Sequence, residues 1–140
     1  MKNIQTTFVI FILSLAILAS PAFADPKTDD AVNAAEAWLK LVDSGQYKAS
    51  WSEAAIFFRE RVKAEDWVKM VELVRKPFGN VEERKLLTAS YVTSLPGAPD
   101  GEYVVIQFQT TFSNKKNSVE TITPMKNTDG KWRVSGYYVK

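Results

Sequence analysis

The sequence predicts an α+β domain, with about three N-terminal helices packed on one face of a four-stranded antiparallel sheet. Apolar residues recur every three or four positions up to about residue 75, and every second position from about residue 84 onward. All the helical stretches precede all the strands, and short polar turns join the strands into a meander. No repeat, low-complexity tract or linker interrupts residues 25–140, so these form a single domain.

Residues 1–24 read as a leader. Lys2 supplies a positive start and Phe8–Leu18 an apolar core too short to span a bilayer. Ser20-Pro21 breaks that core, and Ala22-Phe23-Ala24 is a small-x-small cleavage signal before Asp25. The expected location is periplasmic or secreted. No cysteine stands at the cleavage point for a lipid, so no membrane anchor is expected after cleavage.

The first helix is expected over roughly Asp29–Ser44. Thr28 is placed to cap it, and Asp29 and Asp30 suit the positive end of its dipole. Val32, Ala35, Trp38, Leu39 and Val42 form its apolar stripe, and Gly45 is a C-terminal stop. Ser50 and Glu53 match a capping box for a second helical stretch, with Tyr47, Trp51, Ala54, Ala55, Phe58 and Val62 on one face. The third helix runs from about Ala64 to Arg75, without a good cap at Lys63. Trp67, Met70, Val71 and Val74 form its stripe, and Pro77-Phe78-Gly79 ends it.

Arg84–Ser94 reads as the first strand, followed by a turn-rich loop, Leu95–Gly101. Tyr103–Phe112 is the clearest strand, with Val104, Ile106, Phe108 and Phe112 on one face and Gln107, Gln109 and Thr111 on the other. Asn114–Asn117 is a polar turn. Ser118–Lys126 is the third strand, in which Pro124 marks an edge or a bulge. Asp129-Gly130 signals a hairpin into Lys131–Val139, with Trp132, Val134 and Tyr138 sharing a face.

Composition narrows the chemistry. The chain has no histidine and no cysteine, which removes the common zinc and copper ligand sets and the Ser-His-Asp and Cys-His nucleophiles. Neither a cofactor nor a metal is expected. The net charge of +2 loses the contribution of Lys2 with the leader, leaving a nearly neutral domain without the basic stripe that nucleic acid demands. Arg59, Arg61 and Lys63, Arg75-Lys76 and Arg84-Lys85 are interleaved with acidic residues, the pattern of solvated faces.

The run from Asp43 onward resembles a bacterial family of small exported proteins, the domain-of-unknown-function family 4019. The phrases that carry the likeness are Asp43-Ser44-Gly45-Gln46-Tyr47, Ser50-Trp51, Trp67, Arg75-Lys76-Pro77-Phe78-Gly79 and Arg84. Leu95-Pro96-Gly97, Pro99-Asp100-Gly101, Tyr103-Val104-Val105-Ile106, Glu120-Thr121 and Asp129 to Tyr138 complete the set. The element order also resembles the cystatin-like or nuclear transport factor 2-like cone fold, which implies a curved sheet wrapped around helices and an apolar cavity.

Three functional expectations follow. The leading one is a non-enzymatic domain binding a small apolar molecule or a protein partner, with Trp51, Phe58, Trp67, Phe108 and Tyr138 lining the space between sheet and helices and Thr121 adding a polar group. Each tryptophan also lies on its element's apolar stripe, as a packed core requires. The second is an isomerase, dehydratase or hydrolase using Glu120 with Tyr91 or Tyr138 as acid and base. The third is a homodimer formed through the outer sheet face, with Tyr103, Val105 and Tyr137 as its patch.

Overall fold

The computed structural model describes residues 25–140, so the leader and its cleavage point lie outside the described residues. Helix α1 spans Pro26–Asp43 and starts earlier than its sequence suggests. Pro26 brings a helical φ to the first turn. Asp25, rather than Thr28, is the cap, its carboxylate accepting from the Lys27 N–H at 3.0 Å. At the other end Gly45 adopts φ +76°, while the N–H groups of Gln46 and Gly45 donate to the carbonyls of Leu41 and Val42. That is a Schellman stop, and it uses the conformational freedom of glycine.

The second helical stretch is two helices, α2 (Tyr47–Ser52) and α3 (Ile56–Arg61). Between them Ala54 and Ala55 are fully buried, and the Ala55 N–H donates to the Val134 carbonyl at 2.8 Å. The chain leaves the helical path to seal part of a sheet edge. The capping box is therefore absent. Ser50 lies inside α2, where its hydroxyl donates to the Tyr47 carbonyl and accepts from the Trp67 indole N–H at 2.9 Å. Helix α4 (Ala64–Arg75) has the expected bounds and no side-chain cap. A 3₁₀ turn, Lys76–Phe78, follows and ends at Gly79.

Strands β1 (Val81–Val92), β2 (Tyr103–Phe112), β3 (Lys115–Lys126) and β4 (Trp132–Val139) form one antiparallel sheet in the order β1-β2-β3-β4. Two strands begin three residues before their expected starts. Gly79 turns the chain at φ +77°, and a β-carbon there would fall 2.0 Å from Ser113 Oγ. The β2–β3 turn is only Ser113-Asn114, and a bulge absorbs Asn117 at φ +57°. Pro124 is not on an edge strand. Its ladder slips there, Thr123 facing Gly136 and Pro124 facing Val134, so Ser135 is the extra residue.

The helices cover one face of the sheet, with α1 against all four strands. Trp38 packs on Trp67 and Tyr137 with ring centres 5.8 and 5.5 Å apart, and Phe58 stands edge-on to Trp67 at 5.2 Å. All three indole N–H groups in this region are satisfied: Trp38 by the Ser50 carbonyl, Trp51 by the Val62 carbonyl and Trp67 by the Ser50 hydroxyl. The aromatic rings thus occupy the space between helices and sheet.

Candidate functional site

Two features stand out on this scaffold: a buried ionic cluster and an apolar margin beside it. The cluster starts from strand alternation. The helix-facing side of β3 carries Ser118, Glu120 and Ile122, and that of β2 carries Phe108, Thr110 and Phe112. Glu120 is therefore fully buried. One of its oxygens accepts from Arg84 Nε at 2.8 Å and from the Thr110 hydroxyl at 2.5 Å. The other accepts from the Tyr137 hydroxyl and lies 4.0 Å from an Arg75 nitrogen.

The two arginines are tied a second time by Asp43, at the end of α1. Arg75 reaches it at 2.8 Å and Arg84 grips both its oxygens at 2.7 and 3.0 Å. Arg75 also lies over the Phe112 ring, 4.9 Å from its centre. Two positive and two negative charges balance in one site that joins the ends of α1 and α4 to all four strands. Burial opposes the charge of Asp43, but hydrogen bonds and charge from Arg84 and then Arg75 outweigh it, holding its carboxyl below the usual range. For Tyr137, burial and then the Glu120 charge raise the hydroxyl far above the usual value, so it stays protonated and donates.

The margin lies where α4 runs beside the end of β4. Trp67 and Val71 turn inward, while Met70, Leu73 and Val74 are 49%, 78% and 40% exposed. A recess of about 210 Å³ separates the helix from the strand, walled by Trp67, Met70, Val74, Tyr137, Tyr138 and Val139. A wider recess of about 460 Å³ adjoins Leu73 and Pro77. A further groove of about 540 Å³ runs between α1, α2 and the start of β4, past Trp132 and Arg133, but Arg133 is already held bidentately by Asp129.

The structure distributes the sequence candidates unevenly. Trp51, Phe58, Trp67 and Phe108 belong to one apolar cluster on the helix side of the sheet. Thr121 and Tyr138 do not join them: they pair with each other across β3 and β4 on the opposite face, and Tyr138 is 61% exposed. The Ser135 bulge is the reason. One extra residue reverses the alternation after Val134, so Tyr137 turns inward and Tyr138 outward.

The same reversal removes Tyr137 from the expected outer patch. Tyr103 is also unavailable, being fully buried, with its hydroxyl donating to the Pro99 carbonyl of the β1–β2 loop. Glu120 meets neither Tyr91 nor Tyr138. Tyr91 donates to Glu102 at 3.0 Å, and the tyrosine on Glu120 is Tyr137. The expectation that Arg75 and Arg84 lie on solvated faces is overturned, since Arg75 is 5% exposed and both hold Glu120 and Asp43. Their signal was present: Trp67, Val71 and Arg75 recur every four residues on the buried side of α4, and Glu120 falls in phase with Ile122.

No cluster of three or more His, Cys, Asp or Glu side chains suited to a metal occurs among the described residues. Nor is any helix among them long and apolar enough to cross a membrane. The family model described as "Protein of unknown function (DUF4019)" matches residues 34–137. No curated protein and no solved structure matches the chain.

Proposed function

The chain belongs to the DUF4019 family, whose description assigns no activity, and from that premise we propose an exported, non-enzymatic domain that binds a protein partner along the α4–β4 margin. One observation carries the reading: Met70, Val74 and Tyr138 stay exposed around the recess where helix and edge strand meet, and Leu73 is exposed beside the adjoining recess. Apolar surface gathered in one place marks an interaction site, while scattered apolar residues do not.

A protein partner suits the space better than a small molecule does. The recess of about 210 Å³ is smaller than the roughly 300–1,000 Å³ of ordinary ligand sites. It has room for one or two side chains of another chain. The indoles fill the interior in which a cone-fold domain would hold a ligand; we read the helices-then-meander order as that cystatin-like or nuclear transport factor 2-like arrangement.

The ionic cluster supports a non-catalytic reading. A general base needs a free lone pair facing substrate. Glu120 accepts three hydrogen bonds, is fully buried, and lines none of the recesses described above. Export rests on the leader pattern of Lys2, Phe8–Leu18 and Ala22-Phe23-Ala24.

The test is a photo-crosslinking residue at position 73 in the full chain, expressed in cells. A discrete protein adduct is expected, and Met70→Asp with Val74→Asp should abolish it while circular dichroism stays unchanged. No adduct, or an adduct indifferent to the two aspartates, would contradict the proposal.

A further inference from the structure

We infer that the partner at this margin is a second copy of the chain, joined through the open edge of β4 in an antiparallel pair whose two-fold axis passes at Tyr138. The inference rests on the proposed protein-binding role and names its partner.

It starts from the backbone. Strand β4 is the last in the sheet order, so one of its edges has no strand neighbour among the described residues. Val119 and Lys140 exchange both backbone hydrogen bonds, at 2.9 and 3.1 Å. In an antiparallel ladder such pairs alternate with pairs whose groups point away. The register continues without a slip from Glu120–Val139 to Thr123–Gly136. Lys140, Tyr138 and Gly136 therefore face β3, whereas the N–H and C=O groups of Val139 and Tyr137 face outward. Val134, beyond the bulge, also faces outward, and its carbonyl is the one taken by Ala55. The edge is closed at Val134 by Ala55 and, among the described residues, open from Gly136 onward.

Open edges invite pairing, and proteins usually blunt them with charge, proline or bulges. The opposite edge, β1, carries Glu82, Glu83 and Lys85 and has bulges between Val81 and Glu83 and between Leu86 and Thr88. The open stretch of β4 has neither a charged residue nor a proline from Ser135 to Val139. On β4 such protection is confined to the two ends of the stretch, the Ser135 bulge and Lys140, and none lies between Gly136 and Val139.

The open stretch is also complementary to itself. With the axis at Tyr138, Tyr137 of one copy faces Val139 of the other, and both carry outward groups. That gives two hydrogen-bonded pairs, four bonds in all. Lys140 falls opposite Gly136, where nothing lies within 4 Å of a would-be β-carbon. Val139 shares the helix-facing side with Tyr137, so the second copy brings its Val139 over the recess walled by Met70 and Val74. The exposed flanks of both α4 helices then meet the other copy's edge strand, and the sheet grows to eight strands.

The chain has no cysteine, so a single introduced thiol reports the geometry. At the axis the two Tyr138 positions form a pair whose Cα atoms stand about 4.5 Å apart, within the ~4.4–6.8 Å span of a disulfide. Tyr138→Cys in the full chain is expected to give a disulfide-linked dimer under mild oxidation. Gln107→Cys, on the same face but two strands inward, should not. Val139→Pro removes an outward N–H and no bond to β3. In sedimentation velocity it is expected to raise the dimer dissociation constant at least tenfold while leaving the melting temperature near that of the parent. A chain that sediments as a monomer at every concentration, with no cross-link through Tyr138→Cys, overturns the inference. If the position-73 probe still captures a different protein, the binding role survives with another partner; if it captures nothing, both fall.

Discussion

Glu120 holds the helix ends onto the sheet, and its worth follows from where it lies. A fully buried carboxylate with two arginines nearby is costly to break on one side only. Glu120→Ala leaves Arg75 and Arg84 with Asp43 alone to balance them and strands the Thr110 and Tyr137 hydroxyls, so a loss of about 3–5 kcal/mol is expected in chemical denaturation. Ser50→Ala has a smaller effect of the same kind. It strands the Trp67 indole N–H in the core, for an expected cost of about 1–3 kcal/mol.

The lowered pKa of Asp43 fixes a direction with pH. Its contribution is complete above the unfolded value of 3.8 and is lost as pH falls through the lower folded value. The melting temperature should therefore drop on acidification below that value. Asp43→Asn should melt lower than the parent at neutral pH and show a flatter acid limb. Tyr137 acts at the other extreme: its raised value means stability is lost as pH climbs above 10. At this scale the sequence was only partly legible. The helical and strand spacings of Arg75 and Glu120 mark them as inward, but nothing local shows that Asp43, Arg84 and Tyr137 converge on them across 17 to 62 residues of chain.

Among the elements, those governed by local rules were legible. Helix α4 and strand β2 have the expected bounds because each has an unbroken apolar period and a clear stop. Where a distant contact decides, local rules fail. The break between α2 and α3 exists because Ala55 bonds to β4, and the strand starts at Val81 and Lys115 depend on how the Gly79 corner meets the β2–β3 turn. Gly79→Ala is accordingly expected to destabilise by more than about 1 kcal/mol, combining an unfavourable φ with the clash at Ser113 Oγ. The single residue Ser135 had the largest consequence, since it exchanged the faces of Tyr137 and Tyr138. The placement of Tyr138 with Trp67 and Phe108 assumed a regular β4. Pro124 had signalled an irregularity there, though not which strand would carry the extra residue.

For the molecule as a whole, aromatic rings fill the space between helices and sheet, so the proposed interaction surface faces outward. Native mass spectrometry of residues 25–140 is expected to show polypeptide mass alone, without a retained small molecule. The sheet has two edges treated differently, β1 charged and twice bulged, β4 uncharged from Ser135 to Val139 and open beside the exposed Met70 and Val74 of α4. The proposed dimer requires that another strand complete that open edge. Residue-resolved amide exchange on dilute and concentrated protein measures this directly. The Tyr138 and Lys140 amides, bonded within the chain, should be protected at every concentration. The Tyr137 and Val139 amides should exchange freely when dilute and become protected as concentration rises. Tyr137 and Val139 amides that exchange as freely in the concentrated sample as in the dilute one would contradict the account.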